Sequence, residues 1–314
     1  MKIGFLFPGQ GSQFSGMGKD LYEKYKCVRD IYNKVKDITG IDVAEISFSE
    51  NDDRLNQTKY TQICVLTMSL GIAEILKNEG INAQYSAGLS LGEYSALIYS
   101  HLFKFEDGIK IVEKRGTFMS DYAPKGNWAM AAIIGLDDEV VENVCKQANS
   151  SSGFVVPVNY NCKGQVVISG ELVGVQTAGE IAKQTGARKV VFLNTSGPFH
   201  TEKLAESADL LEKELRKINY QNMDCKVIKN LDGEIYSQND DFSSILMKHI
   251  ISPVRFSKCL QTMIDEGIDT FVEIGPGKSL SGFVKRMKTD KEIKILNICD
   301  VESLEKTLSI LKNN

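Results

Sequence analysis

The stretch Ala87–Leu97, AGLSLGEYSAL, places Ser90 between two glycines at the start of an apolar run, and no other feature restricts the fold as tightly. The segment Gln84 to Ala87 leads straight into the serine. After it, LGEYSALIYS has no glycine or proline beyond Gly92 and reads as a helix. Strand, sharp turn with a serine, then helix is the context of a nucleophile elbow. The reason is steric: on so tight a turn, side chains two positions to either side of the serine would collide. Gly88 and Gly92 remove that collision, and the helix N-terminus offers backbone N–H groups to an oxyanion. The motif alone leaves a second reading open, a glycine-relieved turn in which the serine merely caps the helix.

An elbow needs an α/β body behind it. KIGFLF (2–7) reads as a short buried strand ending in the glycine-rich turn PGQGSQFSG, and Val65, Met68, Ile72, Ile75 and Leu76 recur at helical spacing. TFVEIG is strand-like, and Val301, Leu304, Leu308 and Leu311 mark a C-terminal amphipathic helix. Between about 124 and 196 the pattern changes: strand NWAMAAIIGL, helix DDEVVENVCKQA, strands GFVVPVNY and QVVISG, helix LVGVQTAGEIAKQTG and strand RKVVFLNT. The order βαββαβ is that of a ferredoxin-like unit. The expected organisation is therefore a discontinuous large α/β domain, 1–123 and 197–314, carrying a ferredoxin-like insertion over 124–196.

A chain of 314 residues, 42% hydrophobic and 25% charged, buries a core without disulfides or metals. Its net charge of −4 argues against a general nucleic-acid binder. The seven cysteines (Cys27, Cys64, Cys145, Cys162, Cys225, Cys259, Cys299) are scattered, odd in number and free of CxxC pairs, which fits small core residues in a reducing compartment. The apolar run after Lys2 is too short for a signal peptide, and no stretch approaches the ~18 apolar residues of a membrane span. A cytoplasmic location without membrane association is expected.

A nucleophilic serine needs a base, and the chain has three histidines, His101, His200 and His249. His101 follows the elbow helix, where a partly cationic ring suits the helix dipole. His249, in ILMKHI, falls in a helix and reads equally well as a plain core or surface residue. His200 stands in the loop SGPFHT after the last strand of the insertion, and catalytic side chains concentrate in loops held by rigid elements, so it is the best candidate for the base. No histidine pair has metal-ligand spacing, so no metal is expected. GQGSQFSG fails the dinucleotide pattern because Phe14 occupies the third glycine position, and it lacks the GK[ST] ending of a phosphate loop. Its N–H groups suit an oxyanion instead. In IVEKRGTFM, Arg115 has Gly116 leaving room beside it. It reads either as a surface arginine or as a guanidinium fork for a substrate carboxylate.

Taken together, FPGQGSQ (7–13), TQ (61–62), GLSLGEYSAL (88–97), KRGTFM (114–119), AMAAIIGL (129–136), NYNCKGQVVISG (159–170), GPFH (197–200), SPVRF (252–256) and EIGPGKSLSGFVKR (273–286) resemble the malonyl-CoA:acyl carrier protein transacylases. These stretches run in the family's order through nearly the whole chain. The resemblance implies an α/β-hydrolase-like core with a ferredoxin-like insertion, malonyl-CoA as substrate with no bound cofactor, and acyl carrier protein as partner. It also implies Ser90 as nucleophile, His200 as base, backbone N–H groups of Gln10 and Leu91 as oxyanion hole, Arg115 on the malonyl carboxylate and Gln62 lining the pocket. Phe199 resembles the malonyl-selective form of its segment.

Two positions depart from the family pattern. Leu89 stands where GHSLGE has histidine, and His249 stands where glutamine is common and its backbone carbonyl orients the catalytic histidine. A backbone role survives a change of side chain, but an inward-facing second imidazole would perturb His200, so His249 is kept as a candidate site residue. An acidic carrier implies a basic rim, for which Lys278, Lys285, Arg286 and Lys288 are candidates, although such a run is more often a solvated face. The competing readings are a serine thioester hydrolase, a free-standing polyketide acyltransferase and an inactive carrier-docking module. Arg115 separates the first, because an ordinary esterase pocket is apolar, and retention of Ser90, His200 and Arg115 speaks against the last.

Overall fold

A computed structural model describes residues 1–194, 197–287 and 289–313. The large domain is built on a parallel sheet in the order β7-β2-β1-β8-β9, with β1 Ile3–Phe7, β2 Tyr85–Gly88, β7 Lys226–Val227, β8 Thr270–Ile274 and β9 Lys294–Ile298. Every residue of β1, β2 and β8 is buried, because helices cover both faces of a parallel sheet; IGFLF accordingly reads as an unbroken apolar run, while TFVEI buries Thr270 and Glu273 among its apolar residues. The near-continuous burial of helix Thr58–Asn78 follows from the same layering, since it packs against helices Lys26–Thr39 and Phe105–Asp121.

The second sheet is antiparallel, in the order β4-β5-β3-β6, with β3 Trp128–Ile134, β4 Val155–Cys162, β5 Gln165–Glu171 and β6 Lys189–Phe192. Helices Asp138–Ser151 and Leu172–Gln184 connect its strands in the sequence βαββαβ, the ferredoxin-like arrangement. The fold is thus an α/β-hydrolase-like domain with a ferredoxin-like unit inserted. The two sheets are tied through the chain at Val254, whose N–H donates to Val158 O and whose carbonyl accepts from Tyr160 N–H, both at 2.8 Å.

The expected strand 188–195 ends at Phe192, and Thr195 lies outside the described residues. Strands β7 and β9 were not anticipated. β7 is two residues long, and β9 is a half-buried edge, so neither carries an apolar period of its own. In register, Phe7 pairs with Gly88, and Leu89 N–H donates to Phe7 O at 3.0 Å. The carboxyl ends of β1 and β2 therefore lie side by side, with β7 next to β2. That edge is where α/β sheets place ligands.

Candidate active site

Ser90 leaves β2 with φ 53° and ψ −103°, a left-handed backbone that a non-glycine residue adopts only when its surroundings force it. The flanking glycines show the force. A Cβ on Gly88 would lie 1.9 Å from the Gly92 carbonyl carbon, and one on Gly92 would lie 2.0 Å from Phe7 O. The turn closes only because neither side chain exists. Ser90 occupies the N-cap position of helix Leu91–Tyr99 yet makes no side-chain cap. Its Oγ instead lies 2.7 Å from His200 Nε2 and 3.1 Å from Arg115 Nη2. A serine turned away from the helix it could cap, toward an imidazole, does not fit the helix-cap reading.

His200 sits at φ 59° and is buried. Its Nδ1 lies 3.0 Å from the carbonyl oxygen of His249. A carbonyl only accepts, so Nδ1 carries the proton and Nε2 is left to accept from the Ser90 hydroxyl. Burial, reinforced by the Arg115 charge, pushes the His200 pKa down to about 4, opposed by backbone contacts at His249 and Ser252. The ring is therefore a neutral acceptor near pH 7.

Arg115 is 1% exposed. Helix Phe105–Asp121 brings it there because Gly116 lets that helix approach Thr58–Lys59 closely; a Cβ on Gly116 would lie 3.0 Å from Lys59 Cα. Nη1 donates to Gln62 Oε1 at 2.7 Å, and the guanidinium lies 5.0 Å from the centre of the Tyr94 ring. Burial lowers its pKa from the free value, while Tyr94 and Glu93 oppose that shift. Among the described residues it has no ion-pair partner within 4.0 Å, and its buried Nε has no hydrogen-bond acceptor. Gln62, also buried, directs its own Nε2 to Met119 Sδ at 3.6 Å.

The loop after β1 lies against the elbow: a Cβ on Gly9 would fall 2.3 Å from Leu89 O. Within this loop Gly11 N–H donates to Gln13 Oε1 at 2.7 Å and Ser12 N–H to Gly9 O at 3.3 Å, so both are spent on the turn. The Gln10 amide makes no such bond among the described residues, and its side chain donates to Thr58 Oγ1 at 3.0 Å. The Leu91 amide opens its helix, where no intrahelical acceptor exists. Leu89 packs against the apolar cluster around Leu6, Tyr85 and Phe256. Phe199 is buried in the large core cluster. His101, just past the elbow helix, pairs with Asp224 at 2.8 Å on the surface, away from this group.

Two residues near the elbow had not been assigned any role from the sequence. Asn230, beyond the end of β7, accepts from Ser90 N–H at 2.8 Å through Oδ1 and donates to Gly88 O at 2.7 Å through Nδ2. Glu93, 1% exposed, lies beneath it. Asn230 falls in KNLDG, which reads as a turn, and nothing in that segment signals a reach to the elbow.

Residues 4–299 match the model of the acyl transferase domain family. The chain is 39% identical over 311 residues to the malonyl CoA-acyl carrier protein transacylase of Bacillus subtilis strain 168, covering 99% of this chain and 98% of that relative. It belongs to the malonyl-CoA:acyl carrier protein transacylases. The crystal structure of the Clostridium perfringens transacylase superposes with a TM-score of 0.93 at 40% identity, covering 100% of this chain and 98% of the other. A malonyl-transacylase in complex with a type II PKS acyl-carrier protein superposes with a TM-score of 0.93 at 33% identity, with full coverage of both chains. Among the described residues of this transacylase family member, no cluster of three or more His, Cys, Asp or Glu is placed to hold a metal, and no helix is long and apolar enough to cross a membrane.

Proposed function

We propose that this chain transfers the malonyl group of malonyl-CoA to the phosphopantetheine thiol of acyl carrier protein, for fatty acid synthesis, through a malonyl ester of Ser90. The observation that carries the reading is the position of Arg115: a buried guanidinium with no carboxylate of its own touches the nucleophile, so an acyl group bearing a free carboxylate completes it. In the first half-reaction the Ser90 hydroxyl proton passes to His200 Nε2 while Oγ attacks the thioester carbon. The oxyanion forms against the Gln10 and Leu91 amides, a kind of donor worth about 3–4 kcal/mol each. As the tetrahedral species collapses, the C–S bond breaks and the imidazolium protonates the coenzyme A thiolate. The second half-reaction runs the same steps in reverse with the carrier thiol as nucleophile, and the His249 carbonyl holds Nδ1–H throughout. Gln62 orients Arg115, and Phe199 is assigned to acyl selectivity.

Lys278, Lys285 and Arg286 are exposed around helix Ser279–Val284, with Arg286 reaching Gln165 Oε1 of β5 at 3.0 Å, and they suit an acidic carrier; Lys288 lies outside the described residues. The same reading divides the chain into 1–123 with 197–314 and an insertion over 124–196, and the separation of the strands into two sheets supports that division. Seven free thiols suit the reducing cytoplasm.

The test is intact-mass analysis after mixing with malonyl-CoA, followed by addition of holo-acyl carrier protein. A malonyl adduct that moves to the carrier supports the reading, and release to water at the same rate without carrier would make the chain a hydrolase. The lowered His200 pKa also gives a pH signature. An imidazole kept neutral down to about 4 stays a competent base below the usual histidine range. The single-turnover acylation rate should therefore hold from pH 7.5 to 5.5. A tenfold fall with a midpoint near 6.5 would show an ordinary histidine.

A further inference from the structure

One buried carboxylate lies between the two halves of this site and takes no part in the steps above. Glu93 Oε1 accepts from the backbone N–H of Asn230 at 3.2 Å and from the Tyr236 hydroxyl at 2.7 Å. Its Oε2 lies 3.1 Å from His249 Nδ1, in a bent contact rather than a straight hydrogen bond, and neither atom has another polar partner among the described residues. Both side chains are 1% exposed. Asn230 holds the Ser90 amide and the Gly88 carbonyl, and His249 offers its backbone carbonyl to His200 Nδ1. One carboxylate thus touches the residue that fixes the nucleophile and the residue that fixes the base.

We propose that Glu93 and His249 form a buried strut that sets the distance between Ser90 and His200, so that both are positioning residues for acyl transfer. The inference rests on the assignment of Ser90 and His200 as nucleophile and base. The two atoms meet out of water with no other partner, so a proton on one of them, attracted to the other even across the bent contact, offsets the repulsion between them. Burial pushes the Glu93 pKa up to about 7 and holds His249 neutral. An ionised Glu93 is attracted to the Nδ1–H tautomer of His249, and a protonated Glu93 to the other tautomer. The contact survives either state, so the strut imposes no pH requirement of its own. Tyr94, stacked on the His249 ring at 6.5 Å and beneath the Arg115 guanidinium, closes the other side of the pair. In this arrangement the histidine at position 249 has a side-chain task that a backbone carbonyl alone does not explain.

The experiment measures single-turnover acylation of Ser90 by malonyl-CoA for Glu93→Leu, His249→Leu, the double variant and Glu93→Gln. Each leucine should slow the maximal rate by about 100-fold, the scale of a reacting pair displaced by an ångström. The final adduct amplitude should stay complete and half-saturating malonyl-CoA should stay within about twofold of wild type. Glu93→Gln, whose amide still accepts from Asn230 and Tyr236 and donates to His249, should fall within about 5-fold of wild type. Because both leucines cut one contact, the double variant should be no slower than the slower single. A loss of amplitude at an unchanged rate would mean a merely structural role and would overturn the proposal. Multiplicative effects in the double variant, or a glutamine as slow as the leucine, would overturn it as well. If Glu93→Leu does not fold, His249→Leu carries the same rate criterion alone. Wild-type protein that forms no adduct would remove the Ser90 assignment and the strut together, whereas a normal wild-type adduct with normal leucine rates removes the strut only.

Discussion

Alanine at position 90 is expected to abolish the malonyl adduct and to lower kcat by about 10⁶-fold, the scale on which serine nucleophiles fail when deleted. The size follows from geometry: Ser90 Oγ is 2.7 Å from the neutral Nε2 proposed to remove its proton, and 3.1 Å from the guanidinium proposed to hold the acyl carboxylate. No other hydroxyl shares both contacts among the described residues. Alanine at 200 should cost nearly as much, because without Nε2 the hydroxyl has no acceptor for its proton. The two effects should not multiply, since nucleophile and base act as one unit; the double variant should match the worse single one. Intact mass and a stopped assay for coenzyme A release check this together. An adduct on Ser90→Ala that forms at the wild-type rate would move the nucleophile elsewhere.

How much of this was readable beforehand depended on whether a feature is local in the chain. The elbow was legible because its cause is local: Gly88, Ser90 and Gly92 lie within five positions, and the steric demand they meet is set by the turn itself. The ferredoxin-like insertion was legible because each strand and helix carries its own apolar period. Strands β7 and β9 were not, since a two-residue strand and a half-buried edge take their identity from neighbours distant in sequence. The same reason hid Asn230. Its contact with Ser90 spans 140 positions and exists only because β7 lies beside β2.

The histidines show the limit from the other side. His200 was preferred for its loop, and the structure adds that its Nδ1 faces a carbonyl, which fixes the tautomer a base needs. Position 249 read as a helix residue of either face. Burial against Glu93 is a property of the packed helix Phe242–Ile251, and the segment's own pattern does not contain it. Leu89 packs on the apolar cluster behind β2, so a leucine there satisfies a hydrophobic contact without entering the proton path.

Arg115→Ala should separate acyl donors more sharply than any other substitution. Malonyl-CoA presents a carboxylate and acetyl-CoA does not, so the proposed carboxylate contact serves one donor and not the other. Removing one partner of a buried, hydrogen-bonded charge pair typically costs about 2–5 kcal/mol, so malonyl acylation should fall by on the order of 10²–10³-fold. Acetyl acylation should fall by no more than about 10-fold, the share of the Nη2 contact to Ser90 Oγ. Arg115→Lys should recover little, because a single ammonium cannot reach Gln62, Ser90 and a carboxylate at once, whereas the guanidinium presents its donors as a planar fork. In Arg115→Ala the buried Gln62 Oε1 loses its donor, and the melting temperature records that cost separately from the donor ratio. Measured as kcat/KM for the two donors on the same preparation, the ratio cancels any loss of folded protein. Equal falls for malonyl and acetyl groups would leave Arg115 as a support for the nucleophile and would return the site to the general ester and thioester hydrolases. A fall confined to malonyl makes the carboxylate, bound one guanidinium away from Ser90, the feature by which this elbow selects its acyl group.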